Sequence, residues 1–326
     1  MIKTGLTYDL RSDYLRMGFS EEETAEFDRD DTIDAIESTL RSLGYETDRI
    51  GNIKELAGRL VKGDRWDIVF NICEGMFGTG REAQVPALLD AWQIPYVFSD
   101  PLVLSLTLNK ALTKMVVRDA GLATPDFAVV KSPDDISDID LRFPLFAKPL
   151  AEGTGKGIDA RSVINTKEEL FKVCTGLLVR FNQPVLVERY LSGREFTVGI
   201  VGTGADSHVT GVMEIFLKSE AEANVYSYVN KEECEELVEY KLATDSVADE
   251  CARLAISVWK LLNCQDGGRI DIRCDEKGIP GFIEINPLAG IHPEHSDLPI
   301  LSALNGISYK ELIEMIMQSA IKKIHQ

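Results

Sequence analysis

The sequence contains no run of roughly 18 apolar residues, the length a helix needs to cross a bilayer. It has no CxxC pair either: Cys73, Cys174, Cys234, Cys251, Cys264 and Cys274 are scattered along the chain. That spacing argues against a zinc ribbon or a disulfide framework and fits reduced thiols in a cytoplasmic protein. Behind the first residues, which read as a β-strand, no apolar segment resembles a signal peptide. There is no GxGxxG fingerprint and no loop ending in GK[ST], so a nicotinamide dehydrogenase and a P-loop enzyme are both disfavoured. Positive charge is scarce: 35 Lys and Arg against 53 Asp and Glu leave a net charge of −18, which argues against a nucleic-acid partner. A nucleotide remains admissible, because a few local cations and a metal ion suffice to hold it. Histidine is rare as well. The pair in His292-Pro293-Glu294-His295 has no third ligand nearby and reads as a solvent-facing or substrate-lining loop.

What is present is ordinary in bulk and specific in pattern. With 326 residues, 44% hydrophobic and 27% charged, the chain suits a soluble protein of two or three packed units. The first hundred residues alternate strand and helix signals. An apolar run at 2–6 precedes Ile33, Ile36, Leu40 and Leu43 at helical spacing, then come strand patterns at 45–50 and 67–72 and a helix at 82–91. Such alternation predicts a parallel sheet with helices on its faces. The acidic stretch 20–31 reads as a solvated loop or helix face, with a lid over a cationic substrate as the other reading. A helix is expected over 102–121. From Pro125 onward strands dominate, at 144–148, 184–189, 195–201, 208–214, 269–274 and 279–285, with helices at 167–180, 246–262 and 309–324. The order is α/β followed by α+β.

Four segments carry candidate chemistry. Residues 268–273 (GRIDIR) and 281–287 (GFIEINP) read as two strands joined by the turn 275–278. Side chains alternate along a strand, so a hairpin puts Arg269, Asp271, Glu284 and Asn286 on one face, with Ile270, Ile272, Ile283 and Ile285 buried on the other. Two carboxylates and an amide oxygen suit Mg2+, and an arginine beside them stabilises charge on a reacting oxygen. An exposed hairpin with cross-strand charges is the alternative. Residues 146–157 (FAKPLAEGTGKG) run from a strand into a loop with Gly153, Gly155 and Gly157, which lets backbone N–H groups approach phosphate oxygens. Lys148 at the strand end would reach the phosphates as a point charge; a flexible loop with no ligand is the other reading. In 185–198, Glu188 closes one strand and Glu195 opens the next, placed either for an adenine amino group and ribose hydroxyls or for structural salt bridges. Lys110 lies on a helix ahead of the Gly-rich loop.

In this order the segments resemble the D-alanine–D-alanine ligase branch of the ATP-grasp superfamily, over nearly the whole chain and most strongly from Leu104 onward. The resemblance implies an ATP-grasp fold with an N-terminal parallel-sheet (pre-ATP-grasp) domain at 1–103, a central lid domain at 104–190 and a catalytic domain at 191–326. It implies an ATP- and Mg2+-dependent ligase, with Mn2+ as a substitute metal, that forms an amide or peptide bond through an acyl phosphate. Lys110 and Lys148 match the phosphate-binding lysines. The loop of Glu152, Gly153, Thr154, Gly155 and Gly157 matches the one closing over the triphosphate. Glu188 and Leu191 match the adenine side, and Glu195 the ribose acid. Asp271, Glu284 and Asn286 match the metal ligands, and Arg269 the arginine at the tetrahedral intermediate. Lys231 resembles the lysine of the mobile covering loop, while Gly290 and Ser296 fall where the second substrate's carboxylate binds. The implied partners are small-molecule carboxylate and amine substrates, amino acids among them, with neither nucleic acid nor membrane, and dimers are common in the branch.

The departures lie in the first substrate's pocket. Gly5-Leu6-Thr7-Tyr8-Asp9-Leu10 stands in place of the branch's Gly-rich turn with its glutamate, and Cys73-Glu74-Gly75 followed by Gly80-Arg81-Glu82 in place of its His-Gly motif. Thr154 replaces a serine and Glu232 a tyrosine, and one extra residue separates Gly290 from Ser296. A substrate other than D-alanine alone is therefore expected, as in a ligase of a natural-product or other dipeptide pathway. A non-enzymatic ATP-binding regulator would keep Lys148 and Glu188 without needing the three metal ligands.

Overall fold

The computed structural model describes residues 1–218 and 237–325. Strands β1 (Lys3–Thr7), β2 (Glu46–Gly51) and β3 (Ile68–Asn71) form a parallel sheet in the order β2-β1-β3. Around it run helices α1 (Arg11–Arg16), α2 (Asp30–Ser42), α3 (Ile53–Val61) and α4 (Gln84–Ala91). Every residue of β3 is buried. Ile68 and Phe70 pack with Ile33, Ile36 and Leu40 of α2, while Val69 packs with Leu56 and Leu60 of α3 and Leu89 of α4. A parallel strand covered on both faces reads as a continuous apolar run, which is what 68–70 shows.

The expected helix at 102–121 is two helices, α5 (Pro101–Leu108) and α6 (Lys110–Asp119). Asn109 leaves helical geometry at φ −88° and ψ 93°, and its side chain accepts from the Leu112 amide at 3.1 Å. An asparagine that caps the next helix interrupts an otherwise continuous apolar pattern. The break puts Lys110 at the first position of α6.

A four-stranded antiparallel sheet follows, made of β4 (Phe127–Val130), β5 (Leu145–Pro149), β6 (Val163–Ile164) and β7 (Val185–Arg189) in the order β4-β7-β5-β6, with α7 (Lys167–Phe181) on one face. The third sheet joins β8 (Glu195–Val201), β9 (His208–Leu217), β10 (Val238–Leu242), β11 (Gly267–Cys274) and β12 (Pro280–Asn286) in the order β10-β9-β8-β11-β12. On it packs α8 (Ser246–Leu261), whose Ala255, Val258 and Trp259 meet Ile270 and Ile272. The chain closes with α9 (Asp297–Leu304) and α10 (Tyr309–Ala320). Leu312, Ile313 and Ile316 of α10 share one core with Ile33 and Phe70 of the first sheet and with Val201 of the third. That shared core holds the N-terminal layer against the third sheet. Among the described residues no helix is long and apolar enough to cross a membrane.

Candidate active site

Strands β11 and β12 form the expected hairpin, with Arg269 opposite Asn286 and Asp271 opposite Glu284. Ile270 and Ile272 are buried on the other face. One detail differs from the alternation expected of β12. A register shift at Asp271/Ile272 sets Phe282 opposite Ile272, so Phe282 is the fully buried residue and Ile283 lines the cavity beside Glu284. A bulge adds one residue to a strand and re-aims its side chains.

Two lysines from different elements converge on this hairpin. Lys110 Nζ at the start of α6 lies 3.7 Å from Glu284 Oε2, and Lys148 Nζ on β5 lies 3.8 Å from the same oxygen. Arg269 donates to Asp271 at 2.6 Å and sits 3.5 Å from the Asp297 carboxylate. Thr197 Oγ1 donates to the same Asp271 oxygen at 2.9 Å. Burial works against the charge of Arg269, but Asp271 and Asp297 outweigh it and raise its pKa. Asn286 Nδ2 is buried with no hydrogen-bond partner. Among the described residues no three His, Cys, Asp or Glu side chains group to hold a metal. A hard cation such as Mg2+ does not require such a group, since water and phosphate complete its shell. The two carboxylates and the amide, with two lysines beside them, therefore fit magnesium.

Next to the hairpin, Lys148, Glu188, Leu191, Glu195, Asp271 and Glu284 line one cavity, and Glu284 also lines a second with Lys110, Glu152, Thr154, Arg269, Asn286 and Gly290. Glu188 is 3% exposed and meets Lys148 at 3.1 Å and Lys114 at 2.9 Å. Burial pushes its carboxyl up, but the two ammonium groups overcome that and hold it below the usual range. Burial likewise opposes the charge of Lys148, and Glu188 and Glu284 reverse the effect. Glu195 pairs with Arg273 at 3.2 Å, and Arg273 also donates to the Tyr190 hydroxyl at 2.9 Å.

The Gly-rich loop needs its glycines. Thr154, Gly155 and Gly157 take φ of 48°, 74° and 75°, in the left-handed region that side chains disfavour. A Cβ on Gly157 would come within 2.7 Å of Phe181, and one on Gly153 within 2.5 Å of Glu26 Oε1. Lys110 Nζ donates to the Glu152 carbonyl at 2.6 Å. Glu26 accepts from the Gly153 amide at 2.5 Å and pairs with Arg81 at 3.0 Å and Lys156 at 3.4 Å. The acidic stretch 20–31 is thus not wholly solvated. Glu26 turns inward and grips the loop, its charge held against burial by Arg81 and Lys156.

At the far end of the second cavity a Cβ on Gly290 would lie 2.7 Å from Ser296 Oγ, which accepts from the His292 amide at 2.9 Å. His292 Nε2 lies 3.5 Å from the Asp31 carboxylate. Glu74 and Glu82 line the same cavity, and neither carboxylate makes a hydrogen bond or ion pair with a described residue. Burial and mutual repulsion push Glu74 well up. Burial takes Glu82 to about 7, against the pull of Arg81.

The structure thus gathers Lys110, Lys148, the 152–157 loop, Glu188, Leu191, Glu195, Arg269, Asp271, Glu284, Asn286, Gly290 and Ser296 around two adjoining cavities. Lys231 lies outside the described residues. Sequence reasoning passed over Lys114 and gave no role to Glu26 and Lys156. The spacing of Lys110 and Lys114, four apart on one helix face, was the available signal for the first. Nothing local marks Glu26 among its acidic neighbours.

Comparison with known proteins agrees with this geometry. Residues 116–318 match a family model described as the D-ala D-ala ligase C-terminus. A D-alanine–D-alanine ligase of Bordetella petrii is 32% identical over 264 residues, covering 80% of this chain and 78% of its own. One of Aquifex aeolicus is 30% identical over 288 residues, covering 87% and 92%. The crystal structure of a D-alanine–D-alanine ligase from Bacillus anthracis complexed with ATP shares the fold, with a TM-score of 0.75 at 20% identity over 100% of this chain and 99% of that one.

Proposed function

The chain belongs to the D-alanine–D-alanine ligase family of ATP-grasp proteins, and on that premise we propose that it joins the carboxylate of one amino acid to the amine of another at the expense of ATP. The observation that carries this reading is the placement of Lys110 and Lys148 on the same oxygen of Glu284, opposite Asp271. A site so built brings a triphosphate and a metal together.

The first substrate's carboxylate oxygen attacks the γ-phosphoryl group, and ADP leaves with the bridging oxygen. Lys110 and Lys148 neutralise charge as it moves along that line. Asp271, Glu284 and Asn286 would hold Mg2+, which would supply positive charge to neutralise the phosphates. The amine of the second substrate then attacks the acyl phosphate carbon; inorganic phosphate departs and the amine loses a proton. Arg269 donates to the oxyanion of that tetrahedral intermediate. The loop of Glu152 to Gly157, latched by Glu26, excludes water that would hydrolyse the acyl phosphate.

The relatives are named as D-alanine–D-alanine ligases, so D-alanine is the first substrate to test at both positions. The carboxylates of Glu74 and Glu82, which make no hydrogen bond or ion pair with a described residue, support a first substrate other than D-alanine alone. Phosphate release with ATP and Mg2+ across a panel of amino acids, followed by product mass, decides both points. Absence of release with every amino acid defeats the ligase reading, and selective turnover of D-alanine alone removes the wider substrate.

A further inference from the structure

Lys114, on the second turn of α6, is fully buried. Its ammonium group donates to Thr124 Oγ1 at 3.0 Å and to the Phe282 carbonyl at 3.1 Å, and it forms an ion pair with Glu188 Oε2 at 2.9 Å. The other oxygen of Glu188 meets Lys148, which lines the nucleotide cavity and lies 3.8 Å from Glu284. The two lysines on Glu188 therefore differ in placement. Lys114 is held by two hydrogen bonds and an ion pair and does not line that cavity, whereas Lys148 lines it, ion-paired with Glu188 and Glu284.

We propose that Lys114 is a positioning residue for base selection, which fixes Glu188 as a charged acceptor so that the site takes a 6-aminopurine triphosphate over purines lacking that amino group. The inference rests on the reading of Glu188 as the adenine-side acid. When Lys148 turns to the phosphates, Glu188 would otherwise be a buried carboxylate with no cation, a state that protonates or moves. Lys114 keeps it paired. The Lys114–Glu188 pair is neutral as a whole, so the charge of Lys148 is fully available to the nucleotide. An ionised carboxylate only accepts hydrogen bonds, which matches an exocyclic amine and mismatches a 6-oxo group. Burial lowers the Lys114 ammonium to about 8 while Glu188 opposes the shift, so the cation persists at neutral pH.

The test is calorimetric binding of ATP, purine riboside 5′-triphosphate and GTP to the full chain with Mg2+. Wild type is expected to bind ATP about tenfold or more tightly than the 6-unsubstituted analogue, the range of one hydrogen bond to a charged group. Lys114→Met is expected to bring the two within about twofold of each other. Lys148→Met is expected to weaken all three nucleotides alike. A Lys114→Met protein that keeps the full preference overturns the proposal. If circular dichroism shows that variant unfolded, Thr124→Ala, which loosens Lys114 without removing its charge, replaces it. A reduced preference then supports the proposal and an unchanged one overturns it. Wild type that binds ATP without preference overturns the inference alone, and wild type that binds no nucleotide overturns the ligase reading with it.

Discussion

Glu26 accepts a hydrogen bond from the backbone amide of Gly153 at 2.5 Å, across 127 residues of sequence. The same carboxylate takes Arg81 at 3.0 Å and Lys156 at 3.4 Å, so this side chain ties the N-terminal layer to the Gly-rich loop. Glu26→Gln removes the charge that Arg81 and Lys156 share, leaving Lys156 with Glu152 and Arg81 with the Ala151 carbonyl. We expect the KM for ATP to rise about tenfold, the scale of a lost charge-assisted bond. Limited proteolysis should cut within 152–157 faster than in wild type, and equal rates would detach Glu26 from loop closure.

Arg269 sits on the hairpin proposed to hold the metal, paired with Asp271 at 2.6 Å. Arg269→Ala is expected to lower kcat by about a hundredfold, as losing one oxyanion donor does, with ATP affinity nearly unchanged. Steady-state kinetics beside nucleotide binding separates the two. Parallel loss of both would move Arg269 from the reacting centre to nucleotide binding.

Gly157 has φ +75° and no room for a Cβ beside Phe181 and Pro149. Gly157→Ala is expected to cost about 1–3 kcal/mol, read as a lower urea midpoint at constant slope.

Glu82 is raised from 4.5 to about 7, chiefly by burial. A raised carboxyl binds its proton more tightly folded than unfolded, so the folded state carries more protons between pH 4.5 and 7 and stability falls as pH rises through that window. Glu82→Gln, which mimics the protonated form, is expected to flatten that fall and to raise Tm at pH 7.5 by about 2–4 °C. A Tm profile parallel to wild type would contradict the shift.

Removal of divalent metal by chelation is expected to abolish phosphate release, with Mg2+ or Mn2+ restoring it. Asp271→Asn should demand a higher metal concentration for half-maximal rate, and an unchanged demand would take Asp271 out of the metal site.

Much of this was legible in the chain. The period-two alternation of 268–273 and 281–287 placed Arg269, Asp271, Glu284 and Asn286 on one face, because side-chain alternation is a local property of any strand. The glycines of 153–157 foretold a tight loop for the same local reason. Where Ile283 points was not legible, since a bulge is set by how two strands register. The end of α5 at Asn109 is a capping event that apolar periodicity masks.

The sequence by itself determined the alternation of strand and helix in the first hundred residues and which side chains share one face of the hairpin, both written in neighbouring residues. Only the tertiary structure decided that Lys110 and Lys148 meet at one oxygen of Glu284, that Lys114 stands behind Glu188, and that one glutamate of an acidic run grips the loop. Those pairings join residues on different elements, and charge pairing over such separations follows from how layers pack rather than from any pattern along the chain.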